Sequence, residues 1–221
     1  MDALLPFLIF GGVASLIIGT IAYSFYAAKK RRESLMQHAE EMGLTFYPNG
    51  DAELLNRLSV FKLFNRGRGR KMKNLIQGDS GEVNIAIFDY QFTTGGGKNS
   101  TTHVQSIVAL KSSQLSFPDF TMRPEGMLDK IGSALGFQDI NFEEHPMFSQ
   151  SFVLQGSDEE AIRKYFNQNV LDFFASKPGI SVEAQGNSLF FYRARTQIKP
   201  DQIKDNLAQA YEVFGVLVDH E

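Results

Sequence analysis

VNIAIFDYQF, residues 83–92, is the stretch on which the fold of this chain turns. Val83, Ile85 and Ile87 alternate with Asn84 and Ala86, the period of a half-buried strand. At Phe88 the apolar set changes parity, and Phe88, Tyr90 and Phe92 alternate with Asp89 and Gln91. One step along a strand flips the face, so this shift predicts a bulge or strong twist near Ile87–Phe88. It also leaves Asp89 among aromatics, either facing outward or buried beside a base such as Arg123.

Outward from this stretch, residues 73–77 read as a strand across the turn-rich Gly78-Asp79-Ser80-Gly81, and 103–111 as a strand beyond a flexible loop at 95–100. Shorter strands are expected at 44–46 and 150–154. A hairpin is expected over 180–183 and 188–193, about Gly186-Asn187. Asp51 caps a short helix carrying Leu54, Leu55 and Leu58. Pro124 to Leu135 reads as a helix ended by Gly136. Ser157-Asp158-Glu159-Glu160 reads as a capping box opening another helix, and 170–175 continues helically. Residues 200–218 form an amphipathic C-terminal helix with the stripe Ile203, Leu207, Ala210, Tyr211, Phe214, Leu217 and Val218, which predicts burial of Leu207 and Phe214. The class is therefore α+β: a mostly antiparallel sheet with helices, the C-terminal one included, on one face.

The N-terminus is of another kind. Residues 3–28, ALLPFLIFGGVASLIIGTIAYSFYAA, carry no charge and are followed at once by Lys29, Lys30, Arg31 and Arg32. Such a run is long enough to cross a hydrocarbon core of about 30 Å. A cleaved signal peptide fits poorly, because its basic n-region is missing and the apolar run is too long. The basic residues follow the span, so the positive-inside tendency puts the N-terminus outside and the rest in the cytoplasm. The expected organisation is a transmembrane anchor at 1–28, a juxtamembrane basic helical segment at 29–43 and a cytoplasmic α+β domain at 44–221. Leu35, Met36, Ala39 and Met42 continue the helix to a stop at Gly43.

The pattern Phe64, Gly67, Gly78, Phe88-Asp89-Tyr90, Arg123-Pro124-Glu125-Gly126, Gly136-Phe137, Phe142, His145-Pro146 and Phe148 resembles a group of uncharacterised, single-pass, membrane-anchored bacterial proteins. The resemblance implies a bacterial membrane protein and brings no catalytic residues with it; with the charge around the span, the expected location is the bacterial inner membrane.

The 221-residue chain has no Cys, which excludes disulfides, thiolate metal sites and Cys nucleophiles. The four His residues, His38, His103, His145 and His220, show no metal-ligand spacing, and no cofactor motif is present. Gly95-Gly96-Gly97-Lys98 lacks the spacing and the following Ser or Thr of a phosphate loop, so it reads as a hairpin loop. The clearest functional signal is charge. Arg57, Lys62, Arg66, Arg68, Arg70, Lys71 and Lys73 occur with no acid among them, whereas the rest of the chain beyond the anchor is acidic. The tightest cluster, Arg66, Arg68, Arg70, Lys71 and Lys73, is the candidate for binding anionic lipid headgroups or an acidic protein partner. Nucleic acid is disfavoured, because Phe61 and Phe64 read as core rather than as stacking platforms. The favoured function is a membrane-tethered, non-enzymatic interaction domain. The alternative is an enzyme with a site around Asp89, Arg123 and His145.

Overall fold

The structure, a computed structural model, describes residues 4–126 and 139–218. One uninterrupted helix, α1 (Leu4–Glu41), carries the apolar run straight into the basic segment and beyond. It ends as the sequence indicates. Gly43 takes a left-handed φ of 70°, its N–H bonds to the Glu40 carbonyl at 3.0 Å, and the Leu44 N–H reaches the Ala39 carbonyl at 2.9 Å. Those two bonds satisfy carbonyls that the helix end leaves open.

Eight strands follow: β1 (Thr45–Tyr47), β2 (Arg68–Ser80), β3 (Val83–Thr94), β4 (Thr101–Ser112), β5 (Phe117–Pro124), β6 (Phe152–Gly156), β7 (Ser181–Gly186) and β8 (Ser188–Tyr192). They form one sheet in the order β1-β2-β3-β4-β8-β7-β5-β6, antiparallel at every pairing. The helices are α2 (Ala52–Arg57), α3 (Pro146–Ser151), α4 (Glu159–Tyr165), α5 (Gln168–Ala175) and α6 (Ile203–Val218), with 3-10 turns at Leu58–Val60, Leu63–Asn65 and Pro200–Gln202. The expected helix from Pro124 is corrected at its start, since Pro124 closes β5; positions 127–135 lie outside the described residues. The cap of α4 is Asp158 rather than Ser157, accepting from the Ala161 N–H at 2.9 Å. The strand expected from 150 begins only at Phe152, because α3 runs to Ser151.

A bulge lies where the parity change of residues 83–92 points, but on the neighbouring strand. Lys73 faces Asp89 and Ile76 faces Ile87, so Asn74 and Leu75 stand against Phe88 alone, with Asn74 at φ 51°. The β3–β4 ladder is unbroken from Val83↔Ser112 to Thr94↔Thr101. The parity change has a second cause: both faces of β3 are covered, over different lengths. Ile85 and Ile87 join one core with Leu35 and Ala39 of α1 and with residues of α3, α4, α5 and α6. Phe88, Tyr90 and Phe92 join a second core with Leu63 and Phe64. This corrects the expectation that helices pack on one face only. The segment 54–64 had enough apolar residues to cover the other face, and its Phe64 ring sits 5.0 Å from Tyr90 and 5.2 Å from Phe190.

α6 lies on the first core with its buried line at Ile203, Ala210, Val213 and Leu217. Leu207 and Phe214, expected inside, are half-buried at its flank. Val213 falls outside the stripe read from sequence, and including it rotates the helix contact toward that side.

Candidate membrane-proximal site

Asp89 continues the parity of Ile85 and Ile87, so its carboxylate points toward α1 and is 6% exposed. A buried carboxylate needs partners for its lone pairs. Here Arg31 supplies a two-pronged pair, Nε to Oδ2 at 3.0 Å and Nη2 to Oδ1 at 2.9 Å. Asn74 donates to Oδ2 at 2.8 Å and Ser106 to Oδ1 at 2.6 Å. The third arm of the guanidinium, Nη1, donates to the Ile198 carbonyl at 2.7 Å, while the Ile198 N–H donates to Ser106 Oγ at 2.9 Å. α1, β2, β3, β4 and the approach to α6 therefore meet in one satisfied network. The base beside Asp89 is Arg31, which corrects the expectation of Arg123.

This network sets the direction of α1. Arg31 meets Asp89, Leu35 lies in the same small cavity as Ile87, and Leu44 sits against Gly78, the partner of Ile85. The last turns of α1 thus run along β3 from Asp89 toward Ile85. Traced back, the apolar part of α1 leaves past the other end of β3, where the loop 95–100 joins β3 to β4. Residues 10–30 of the helix are exposed throughout, with Phe10, Leu16, Ile18, Tyr23, Phe25 and Tyr26 among the bare side chains. The helix is long and apolar enough to cross a membrane, and none of its most apolar window is buried in the domain.

The five candidate bases divide into two kinds. The Arg66 guanidinium stacks over Phe92 at 5.5 Å, and burial lowers its pKa. Arg68 holds the 95–100 loop through the Gly95 carbonyl and through Ser100 Oγ, the latter at 2.9 Å. Arg70 donates to the carbonyls of Phe64 and Asn65, both at 3.0 Å, and of Gly67, closing the turn that covers the second core. The turn needs Gly67 itself: its φ is +64°, and a Cβ there would stand 2.5 Å from the Thr93 carbonyl oxygen. Lys71 and Lys73 are different. Both are exposed, and they face Gln91 and Asp89 across the ladder, on the same side as the Arg31 network.

Asp89, Arg123 and His145 are not brought together. β5, which carries Arg123, stands four strands from β3 in the sheet. Arg123 also points to the opposite face: its neighbour Met122 is in the first core, where Asp89's parity lies. His145 caps α3, its Nδ1 accepting from the Phe148 N–H at 3.2 Å, which leaves Nε2 to donate to Asp172 of α5 at 2.8 Å. That bond holds the Asp172 carboxyl below its ordinary pKa. The 95–97 glycines form a hairpin loop with strands on both sides, as read from sequence. Among the described residues no three His, Asp or Glu side chains gather to hold a metal ion.

Two residues escaped the sequence reading. In the sequence Arg31 reads as one of the four charges that follow the apolar run. The signal that finds it is spacing: Arg31, Leu35 and Ala39 recur every four positions on one side of α1. Glu183 of β7 lies 2% exposed and accepts from the Lys62 N–H at 2.5 Å and the Leu63 N–H at 3.1 Å. Burial pushes its pKa up to about 7, against the lowering effect of those two N–H groups and of Lys62.

No family model and no curated protein matches the chain. Among solved structures, the mycobacterial trehalose monomycolate transport factor A, TtfA, has a similar fold: TM-score 0.62 over 87% of this chain and 95% of that chain, at 14% identity. At that identity the likeness is one of fold.

Proposed function

We propose that this chain is a single-pass protein of a bacterial inner membrane, N-terminus outside, whose cytoplasmic α+β domain is a non-enzymatic interaction module held in one orientation against the leaflet. The observation that carries the reading is the Arg31–Asp89 network. It fastens the helix that spans the membrane to the middle of the sheet, without a linker between them. The end of the sheet bearing Lys71 and the 95–100 loop then faces the bilayer, and Lys71 and Lys73 contact anionic headgroups. With Arg66, Arg68 and Arg70 committed to the fold, the attraction from this cluster comes from the two lysines, about 2 kcal/mol at low salt. It is screened at physiological ionic strength, where the Debye length is about 8 Å. The transport factor TtfA, which shares the fold, is in keeping with a role other than catalysis.

Lysine acetylation of the full chain in nanodiscs, read by mass spectrometry, tests this. Lys71 and Lys73 are expected to be protected in anionic discs at low salt and released at high salt, while Lys111 labels equally throughout. Equal labelling of Lys71 and Lys73 in anionic and zwitterionic discs would remove the lipid contact from the account.

A further inference from the structure

The second face of the sheet holds a hollow that the membrane reading does not use. Across the central strands, Ala86 of β3 pairs with Ala109 of β4, and Ala109 with Phe190 of β8. Both alanines remain partly accessible, although Ile85, Ile87, Val108 and Leu110 on either side of them are buried. On one side of the alanine row stands a row of large apolar residues, Phe88, Ile107 and Tyr192; on the other stands a polar row, Asp79, Asn84, Lys111 and Ser188. Leu54 of α2 and Leu58 form the wall above. The result is a cavity of about 460 Å³, apolar in its depth and polar at its mouth. Its size is within the range of small-molecule sites, and a mainly apolar lining with a few polar groups is their usual character.

We infer that this cavity binds a small single-chain amphiphile with an anionic head. The chain lies on Ala86 and Ala109 beneath Leu54 and Leu58, where two methyl groups stand in place of larger side chains. The head lies at Lys111. The sign follows from Lys111, the one base among the lining residues, which stands exposed directly across from Asn84; the Asp79 carboxylate keeps its charge but stands on the far side of Asn84, whose amide donates to it. The site is at the end of β3 and β4 away from the 95–100 loop, so it is separate from the bilayer-facing edge.

The chain contains no Trp, so Tyr47→Trp at the cavity wall gives a single fluorescent reporter. The full chain would be held in zwitterionic nanodiscs and titrated with terminally brominated dodecanoate as quencher, then with the brominated alcohol of the same length. Saturable quenching, reversed by plain dodecanoate, is expected. The acid should bind about threefold better than the alcohol, as for an exposed ion pair, and Lys111→Gln should erase that difference. Ala109→Leu and Ala86→Leu, each filling the floor from a different strand, should abolish the saturable phase with the melting transition retained in at least one. Quenching that never saturates, or that survives unchanged in a folded floor variant, would overturn the site. Saturable binding with equal affinity for acid and alcohol would overturn the anionic head.

Discussion

At the scale of single residues, the junction between α1 and the sheet holds one buried ion pair. Arg31 and Asp89 are 20% and 7% exposed in their side chains, so removing either leaves the other with a poorly solvated charge. Asp89→Ala or Arg31→Ala should each cost about 3 kcal/mol, and the double variant much less than the sum, because it leaves no orphan charge. Urea-gradient proteolysis of the membrane-held chain measures all three; strict additivity would show that the two groups act separately. It follows that a fragment starting at Glu33 lacks the partner of Asp89 and is a weakened version of the domain. Glu183 makes a different prediction. Its folded pKa, near 7, lies above its ordinary 4.5, so the native state holds a proton that the unfolded state releases. Stability from this group is full below about 4.5 and is lost as pH rises through about 7, with a total on the order of 3 kcal/mol. Glu183→Gln should flatten the fall in stability between pH 5 and 8; an unchanged slope would assign the pH dependence elsewhere. The sequence marked Asp89 because an acid among aromatics is conspicuous. It could not mark Glu183, which shares a face with the polar Ser181 and Gln185, as on an open face, and is covered only because the 3-10 turn at Leu63–Asn65 folds over it.

At the scale of elements, the local signals were sound where they were chemical and weaker where tertiary packing decides. The Asp51 cap, the Gly43 stop, the Gly186-Asn187 hairpin and the 95–100 loop all stand as read. β5, with Pro118 and Asp119 inside it and a register shift between Phe117 and Phe120, gave no clean alternation and was not legible. In α6 the stripe was right in existence and rotated in detail. Leu217→Ala should therefore cost about 3 kcal/mol through lost burial and the cavity left behind. Phe214→Ala, at the half-buried flank, should cost clearly less. Thermal melting of the two variants decides, and a larger loss for Phe214→Ala would return the helix to its sequence-derived orientation.

At the scale of the whole molecule, α1 and the sheet make one unit: the helix emerges bare for residues 10–30 and is then built into the first core through Arg31, Leu35 and Ala39. The proposed orientation, with the domain in the cytoplasm, rests on the basic residues that follow the apolar run. A reporter active only outside the cytoplasm, fused after Glu221, should stay silent; strong activity with an intact fusion would reverse the orientation and the anionic-leaflet contact with it. The central claim is that the Arg31–Asp89 network fixes which end of the sheet meets the bilayer. With no native Cys, single spin labels can be placed at Lys98→Cys in the 95–100 loop and at Ser80→Cys at the far end of β2. Relaxation of each label by a paramagnetic headgroup lipid in nanodiscs measures its nearness to the surface directly. Strong relaxation is expected at position 98 and little at position 80, with loss of that contrast when Asp89→Ala is added. Equal relaxation at the two positions in the unaltered junction would contradict the claim.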